Sequence, residues 1–289
     1  MFTIAVKQEQ YQTYILSDHA AESHLRLVPE RGGIALKWQL QGQEIFYLDE
    51  ERYTHPELTV RGGNPILFPI CGNLPENTYQ YQGKTYTLKQ HGFARELPWT
   101  VGEQITQDQA SLTLELTSHE QTRSVYPFEF QVAFTYVLKG NVCEIQQSYT
   151  NRGDGRMPFS AGFHPYFLAP DKSQLQIAIP ATQLTDQRTR ITHPFDGTFD
   201  FGVDEIDVMF RSLESQTATV VDTSRNLKVT LESDTPFKTL VFWTLIGKPF
   251  YCLEPWTAPR NALNTGDDLL YLEAGETLKT WVRLTVNQG

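Results

Sequence analysis

Three short stretches of the sequence each place a histidine or a glutamate next to aromatic residues, glycines or prolines. His91 lies in KQHGFAR (residues 89–95), His164 in GFHPYF (162–167) and Glu254 in CLEPW (252–256). With reference pKa values of about 4.3 for glutamate and about 6.5 for histidine, an ionised Glu254 can accept a proton near neutral pH and a partly protonated His164 can donate one. The three side chains are therefore candidates for an acid/base site.

Each of these residues, taken alone, also fits a structural role. An unpaired buried carboxylate costs several kcal/mol, so Glu254 must be paired, face a cavity, or point to solvent at a sheet edge. His164 fits a core histidine that is hydrogen-bonded to the backbone, and His91 fits a loop histidine that fixes a turn. Trp256 and Trp99 are predicted to be core residues rather than platforms for a sugar ring.

Two arginines near these stretches are candidates for binding a charged group. Arg61 precedes Gly62 and Gly63, which let the backbone bend or approach a ligand closely, and Arg95 follows His91 by four positions. The planar guanidinium group matches the geometry of carboxylates and phosphates. Either arginine also fits an ordinary surface cation.

The sequence lacks the motifs of several large enzyme classes. It contains no Walker phosphate loop and no GxGxxG, GxSxG or HExxH motif, so nucleotide, serine-hydrolase and zinc-protease chemistry have no sequence support. Cys71, Cys143 and Cys252 are odd in number and without CxxC spacing, which favours buried reduced thiols over disulfides or a zinc site. We therefore predict an acid/base site that needs no metal and no cofactor.

The charge and the chain's first residues indicate what the protein binds and where it acts. The formal net charge is −10 without a clustered basic stripe, which argues against nucleic acid or an anionic membrane as partner. In the opening MFTIAVKQEQYQTY no positively charged region precedes a long apolar run, so we expect no signal peptide, and no stretch reaches the roughly 18 apolar residues that span a bilayer. We expect a cytoplasmic monomer or homodimer that binds a small molecule.

Alternating apolar residues predict β-strands along most of the chain. The period of two is clear in three segments, whose apolar positions are Leu112, Leu114 and Leu116; Leu227, Val229 and Leu231; and Leu278, Val282, Leu284 and Val286. Long segments with helical periodicity, internal repeats and low-complexity linkers are missing. The sequence predicts one antiparallel all-β domain over residues 1–289, either a large two-sheet sandwich or a barrel.

One predicted hairpin places the first of the three stretches. Gln82 and Gly83 separate two alternating Tyr/Thr arms in TYQYQGKTYTL, so we predict a hairpin whose second strand ends at Leu88. His91 then lies in the loop that follows the strand. Loops that a rigid sheet holds in place often contain catalytic residues.

The same motifs, in this order and spacing, resemble the aldose 1-epimerase (galactose mutarotase-like) family. The residues concerned are FPICGNLPENTYQYQGKTYTLKQHGFAR, AGFHPYF and YCLEPW, and the resemblance extends from about Arg31 to the final strands. It implies a large antiparallel β-sandwich of the supersandwich type. It also implies that the protein interconverts the α and β anomers of a sugar without a cofactor.

The resemblance assigns a role to each candidate residue. Glu254 matches the catalytic base of the family, His164 the general acid and His91 a second active-site histidine. Asp207, in DEIDVMF, matches a substrate-binding aspartate.

One position departs from the pattern of galactose mutarotases. Where those proteins have a substrate-binding arginine just before the hairpin, this sequence has Asn73, which we take as a substrate-binding candidate. The RGG that begins at Arg61 and the HGFAR that ends at Arg95 instead resemble the hexose-6-phosphate mutarotase branch, in which arginines of these motifs take part in anion binding. The substrate is therefore expected to be a hexose or a hexose 6-phosphate.

Two other functions remain open at the level of the sequence. A sugar-binding or sugar-sensing protein on the same fold would bind without turnover, although it would not need both histidines and the glutamate. A glycoside hydrolase would need a second carboxylate at a defined distance from Glu254, and the sequence shows no evident partner.

Overall fold

Strands dominate the computed structural model, which describes residues 1–288. The strands are β1 Phe2–Gln8, β2 Gln12–Asp18, β3 Ser23–Val28, β4 Ile34–Leu40, β5 Gln43–Glu44, β6 Ile66–Leu67, β7 Thr78–Tyr81, β8 Lys84–Thr87, β9 Thr100–Ile105, β10 Ala110–Thr117, β11 Phe130–Lys139, β12 Val142–Asn151, β13 Met157–Phe159, β14 Gly162–Phe163, β15 Tyr166–Leu168, β16 Leu175–Ala178, β17 Gln183–Asp186, β18 Thr192–Pro194, β19 Glu205–Phe210, β20 Thr217–Asp222, β21 Leu227–Ser233, β22 Thr239–Leu245, β23 Phe250–Trp256, β24 Leu270–Leu272 and β25 Thr277–Gln288.

Helices are few and short. The α-helices are α1 Glu50–Thr54, α2 Glu120–Val125 and α3 Ala262–Thr265, and the 3-10 turns are Pro29–Arg31, Pro75–Asn77 and Lys172–Gln174. None of the helices in residues 1–288 is long and apolar enough to cross a membrane.

Three larger sheets and two hairpin-sized sheets make up the architecture. A five-stranded sheet follows chain order from β1 to β5, and one eight-stranded sheet has the order β16-β20-β21-β25-β12-β11-β10-β9. The second eight-stranded sheet has the order β18-β17-β19-β22-β23-β14-β6, with β15 also paired to β23, and it positions the candidate site. Every pairing between these strands is antiparallel, as the sequence predicts.

The main core contains side chains of both eight-stranded sheets and of the five-stranded sheet. The alternating leucines of β10 and the apolar positions of β21 are buried, and so are those of β25 except Leu278, which is partly exposed. Aromatic rings join the sheets: Phe134 of β11 and Phe163 of β14 have ring centroids 5.7 Å apart. Cys71, Cys143 and Cys252 are buried and free, which confirms the predicted reduced thiols.

The predicted hairpin forms from β7 and β8, with β8 ending at Thr87, one residue before the predicted end. His91 lies outside any strand, in the loop that follows. The backbone of this loop is tied to the sheet region, because the amide of Phe93 donates to the carbonyl oxygen of Phe68 at 3.1 Å. The loop is thus fixed against the scaffold at the point where the motif begins.

Candidate active site

Strand β23 is buried on both of its faces, which explains why the sequence around Glu254 is so apolar. Tyr251 and Leu253 belong to the main core, whereas Cys252 and Trp256 belong to smaller clusters on the other face of the sheet. Because side chains alternate along a strand, Glu254 lies on the same face as Cys252 and Trp256. Its side chain is 2% exposed and accepts a hydrogen bond from Trp256 Nε1 at 3.2 Å.

His164 lies between β14 and β15, the two short strands that pair with β23. Gly162 pairs with Trp256 and Tyr166 pairs with Cys252, so the register places His164 beside Glu254. His164 Nε2 is 3.4 Å from Glu254 Oε1, while Nδ1 is buried without a hydrogen-bond partner in the described structure. Nε2 is therefore the atom that faces the carboxyl group.

The ring of His164 is held by aromatic packing on two sides. It stacks on Tyr166 with centroids 4.7 Å apart and planes 9° apart, and it meets Trp243 edge-on at 5.6 Å. This packing fixes the ring plane, so the nitrogen that faces Glu254 keeps its direction.

His91 reaches the same cluster from its loop, with its ring centroid 5.5 Å from that of His164. The backbone at His91 is left-handed (φ 67°), and its Nδ1 accepts a hydrogen bond from the Gly72 amide at 3.1 Å. In a neutral ring the proton must then be on Nε2. The next residue must be glycine, since a Cβ at Gly92 would lie 2.3 Å from the carbonyl oxygen of Phe68.

Burial shifts the pKa of each of the three groups in the direction that favours its neutral form. Burial raises the pKa of Glu254 well above its ordinary 4.5, with a further increase from Asp207. Burial, followed by the charge of Arg95, lowers the pKa of His164 to about 3 and that of His91 well below 6.5. The expectation of an ionised Glu254 beside a partly protonated His164 is therefore wrong, because reference pKa values omit the cost of burying charge.

These groups line a cavity of about 420 Å³. Its wall consists of Arg52, Thr59, Val60, Arg61, Gln90, His91, Arg95, His164, Tyr166, Glu205, Asp207, Val241, Trp243, Glu254, Trp256 and Arg260. The structure therefore brings together every candidate residue from the sequence except Asn73, which is exposed outside this wall. A pocket of this size, lined mostly by charged and polar side chains, fits a small polar molecule.

Asp207 is held by two residues that the sequence did not indicate. Its Oδ2 accepts from Arg260 Nη2 at 2.8 Å and its Oδ1 accepts from Gln187 Nε2 at 2.6 Å. Arg260 Nη1 also donates to Asn73 Oδ1 at 3.2 Å, so Asn73 is joined to the site through this arginine. Neither Arg260 nor Gln187 lies in a motif, and only the fold places them beside Asp207.

Arg61 and Arg95 lie in the cavity wall as predicted. Arg61 is exposed, and its guanidinium carbon lies 5.9 Å from the centroid of Trp243. Arg95 donates to the carbonyl oxygen of Gln90 at 2.9 Å, and its Nε is buried without a partner among the described residues. Arg95 also lines a second cavity of about 470 Å³, which shares Thr59, Val60 and Gln90 with the first.

Two further carboxylates enter the cavity with Glu254, although the sequence showed no evident partner for it. They are Asp207 and Glu205, which lie on the same face of β19. Arg260 and Gln187 occupy both oxygens of Asp207, and Glu205 Oε1 accepts from Trp243 Nε1 at 2.8 Å. Both carboxylates are thus anchored within the wall.

One group of side chains has the residue types of a metal site. The ligand atoms of His164, Cys252 and Glu254 all lie within 4.8 Å of one another. Burial raises the pKa of Cys252 well above its ordinary value, and Glu254 raises it further, so a metal ion would have to displace the thiol proton to bind there. The donor set fits an acid/base pair packed on a core thiol better than it fits a metal ion.

Comparisons with known proteins identify the family. The model of the family described as "Aldose 1-epimerase" matches residues 18–285. The plasmid-encoded protein LacX of Lactococcus lactis subsp. lactis is 26% identical over 242 residues, which cover 72% of this chain and 78% of LacX. An Escherichia coli K12 protein named "Putative glucose-6-phosphate 1-epimerase" is 29% identical over 150 residues, 51% of this chain and 46% of that protein.

Solved structures show the same fold over the whole chain. The Slr1438 protein of Synechocystis sp. PCC 6803 superposes with a TM-score of 0.96 at 45% identity, covering 100% of both chains. A galactose 1-epimerase from Lactobacillus acidophilus NCFM superposes with a TM-score of 0.76 at 14% identity, covering 100% of this chain and 99% of that one. The second match supports the fold alone. The chain has the predicted galactose mutarotase-like β-sandwich fold and belongs to the aldose 1-epimerase family, whose members bind sugar substrates.

Proposed function

We propose that the protein is an aldose 1-epimerase that interconverts the α and β anomers of a hexose 6-phosphate. The observation that supports this most strongly is the contact of 3.4 Å between His164 Nε2 and Glu254 Oε1 in the wall of a sugar-sized cavity. Ring opening of a cyclic aldose requires a base at the C1 hydroxyl and an acid at the neighbouring ring oxygen.

The proposed reaction moves two protons and breaks one bond. Glu254 takes the proton from the C1 hydroxyl, the C1–O5 bond breaks as the C1 carbonyl forms, and His164 gives a proton to O5. The open aldehyde rotates about the C1–C2 bond. Reclosure from the other face returns both protons in the reverse direction and yields the other anomer.

A single proton shared by the pair is sufficient for this cycle. Burial favours the form in which Glu254 holds the proton and His164 is neutral. Moving that proton across the 3.4 Å contact to His164 generates the carboxylate base and the imidazolium acid without uptake from solvent. His91, neutral and with its proton on Nε2, is suited to donate a hydrogen bond to a sugar oxygen.

Three arginines support the choice of a phosphorylated sugar. Arg52, Arg61 and Arg95 line the cavity, and none of them has a carboxylate within 4.0 Å in residues 1–288. Guanidinium groups bind phosphate oxygens bidentately. The relative named for glucose 6-phosphate points to the same class of substrate.

The two alternative functions explain less of the site. A sugar sensor on this fold would need hydrogen-bonding groups. It would have no reason to bury a glutamate against a histidine, which is costly. A glycoside hydrolase would need a free second carboxylate, whereas Asp207 and Glu205 are already engaged by neighbouring donors.

Anomer interconversion measured by NMR exchange or polarimetry tests the proposal directly. We expect the purified protein to accelerate the equilibration of hexose 6-phosphate anomers, and exhaustive treatment with EDTA to leave the rate unchanged, because the acid/base pair alone supplies the chemistry. Free hexoses assayed in parallel show the sugar preference. Loss of activity on chelation and its return with a divalent ion would contradict this mechanism.

The pH dependence of kcat/KM is expected to follow the proton count of the Glu254–His164 pair. As pH falls through about 3, the lowered pKa of His164, the pair gains a second proton and loses its base. As pH rises through the raised pKa of Glu254, the pair loses its only proton and with it the acid. Steady-state assays, with tryptophan fluorescence at each pH to verify the fold, measure both declines; an acid-side decline centred at the ordinary histidine pKa would contradict this scheme.

A further inference from the structure

Arg260 enters the cavity from the segment that follows β23, four positions after Trp256. Its side chain is 29% exposed, and it lines the wall together with His91, Asp207 and Glu254. Neither the acid/base step nor the phosphate contact proposed above uses it.

The three nitrogens of its guanidinium group each have one fixed partner. Nε donates to Gln187 Oε1 at 2.6 Å, Nη2 to Asp207 Oδ2 at 2.8 Å and Nη1 to Asn73 Oδ1 at 3.2 Å. Gln187 closes a ring by donating to Asp207 Oδ1 at 2.6 Å. An arginine has five N–H donors, so the three bonds leave two donors, one on each Nη atom, for a ligand.

The stem of Arg260 rests on the same glycine that fixes His91. A Cβ on Gly72 would lie 2.2 Å from Arg260 Cγ, and the backbone there is left-handed (φ 69°). Gly72 donates its amide hydrogen to His91 Nδ1 and accepts from the His91 amide at 2.7 Å. Arg260 therefore occupies a space that exists because residue 72 has no side chain, directly beside a site histidine.

We propose that Arg260 orients the sugar, donating its two remaining N–H groups to neighbouring ring hydroxyls while it holds Asp207 in place to accept from them. This inference rests on the proposed epimerase function and adds the group that aligns the sugar ring. The guanidinium group suits adjacent hydroxyls because its two Nη atoms lie in one plane at a fixed spacing. Arg260 is thus a positioning residue for the substrate.

The test measures kcat and KM separately for the parent protein and for Arg260→Ala and Arg260→Lys. We expect both variants to raise KM by roughly tenfold to a hundredfold, with a smaller change in kcat, because a charge-assisted contact to the sugar is lost. Lysine does not restore the contact, since it lacks the planar pair of Nη donors. Added methylguanidinium is expected to lower the KM of Arg260→Ala towards the parent value. The same concentration of sodium chloride should not.

Arg211→Ala is the matched control, since Arg211 forms a comparable ion pair with Asp268 at 2.6 Å outside this cavity. Its KM should equal that of the parent. An unchanged KM in Arg260→Ala, or a raised KM that methylguanidinium does not lower, would overturn the assignment of Arg260.

A parent protein that equilibrates no anomers would instead contradict the proposed function. In that case calorimetric titration with a hexose 6-phosphate still tests Arg260. Weaker binding to Arg260→Ala than to the parent supports the sugar contact, and equal binding overturns it.

Discussion

Replacing Glu254 by glutamine is expected to lower kcat by roughly 10² or more while changing the affinity for the sugar by less than about tenfold. The amide keeps the shape of the side chain, and its oxygen can still accept from Trp256 Nε1, which donates to Glu254 Oε2 at 3.2 Å. What is lost is the group that takes the proton from the C1 hydroxyl. NMR exchange gives the rate, and calorimetry with the same sugar gives the affinity.

Two companion variants show whether the effect belongs to the acid/base pair. His164→Asn is expected to lower kcat to a similar extent, because an amide cannot give a proton to the ring oxygen. Glu232→Gln, in the other eight-stranded sheet and away from the cavity, should be as fast as the parent. A Glu254→Gln variant with parental kcat would assign the base to another residue and leave CLEPW as a structural strand end.

The second large effect is expected for the sugar preference. The parent should have a higher kcat/KM for glucose 6-phosphate than for glucose, and Arg61→Ala or Arg95→Ala should reduce that ratio by roughly tenfold to a hundredfold. The reason is that each arginine lines the cavity and has no carboxylate within 4.0 Å among residues 1–288, so its guanidinium group is available for the phosphate. The net charge of −10 opposes the phosphate at long range, but salt screens that field beyond about 8 Å.

A matched control distinguishes a phosphate contact from a general effect of removing a cation. Arg156 lies over the ring of Tyr271 at 3.9 Å, much as Arg61 lies over Trp243, but it is outside the cavity. Arg156→Ala should leave the ratio of the two kcat/KM values unchanged. Equal kcat/KM values for both sugars in the parent would give Arg61 and Arg95 structural roles and indicate a broad aldose 1-epimerase.

The strands and the three ionisable residues were predictable from the sequence because both leave a local signal. Alternation reveals which face of a strand is buried, and it predicted strands such as β10, β21 and β25. Glu254 and His164 stand out because a charge among aromatics is costly unless a partner or cavity explains it. The turn at Gln82 and Gly83 placed His91 in a loop for an equally local reason.

Other parts of the site depend on contacts between distant segments and so leave no such signal. Arg260 and Gln187 meet Asp207 only because the strands of the second eight-stranded sheet bring three segments to one wall. The protonation of Glu254 and His164 was also misjudged, since a pKa depends on how completely the finished fold removes water from the group. Neither the partners of Asp207 nor the degree of burial can be read from residue type and spacing.

Glu254 and His164 are attached to the protein in a different way from Arg61 and Arg95 of the cavity wall. Glu254 lies within β23, and His164 lies between the two short strands that pair with it, so sheet register sets their separation. Arg61 and Arg95 belong to connecting segments outside the strands. We therefore expect substitutions or insertions in those segments to change which sugar is accepted without moving Glu254 or His164. Under the proposed function, the choice of substrate can then evolve independently of the reaction itself.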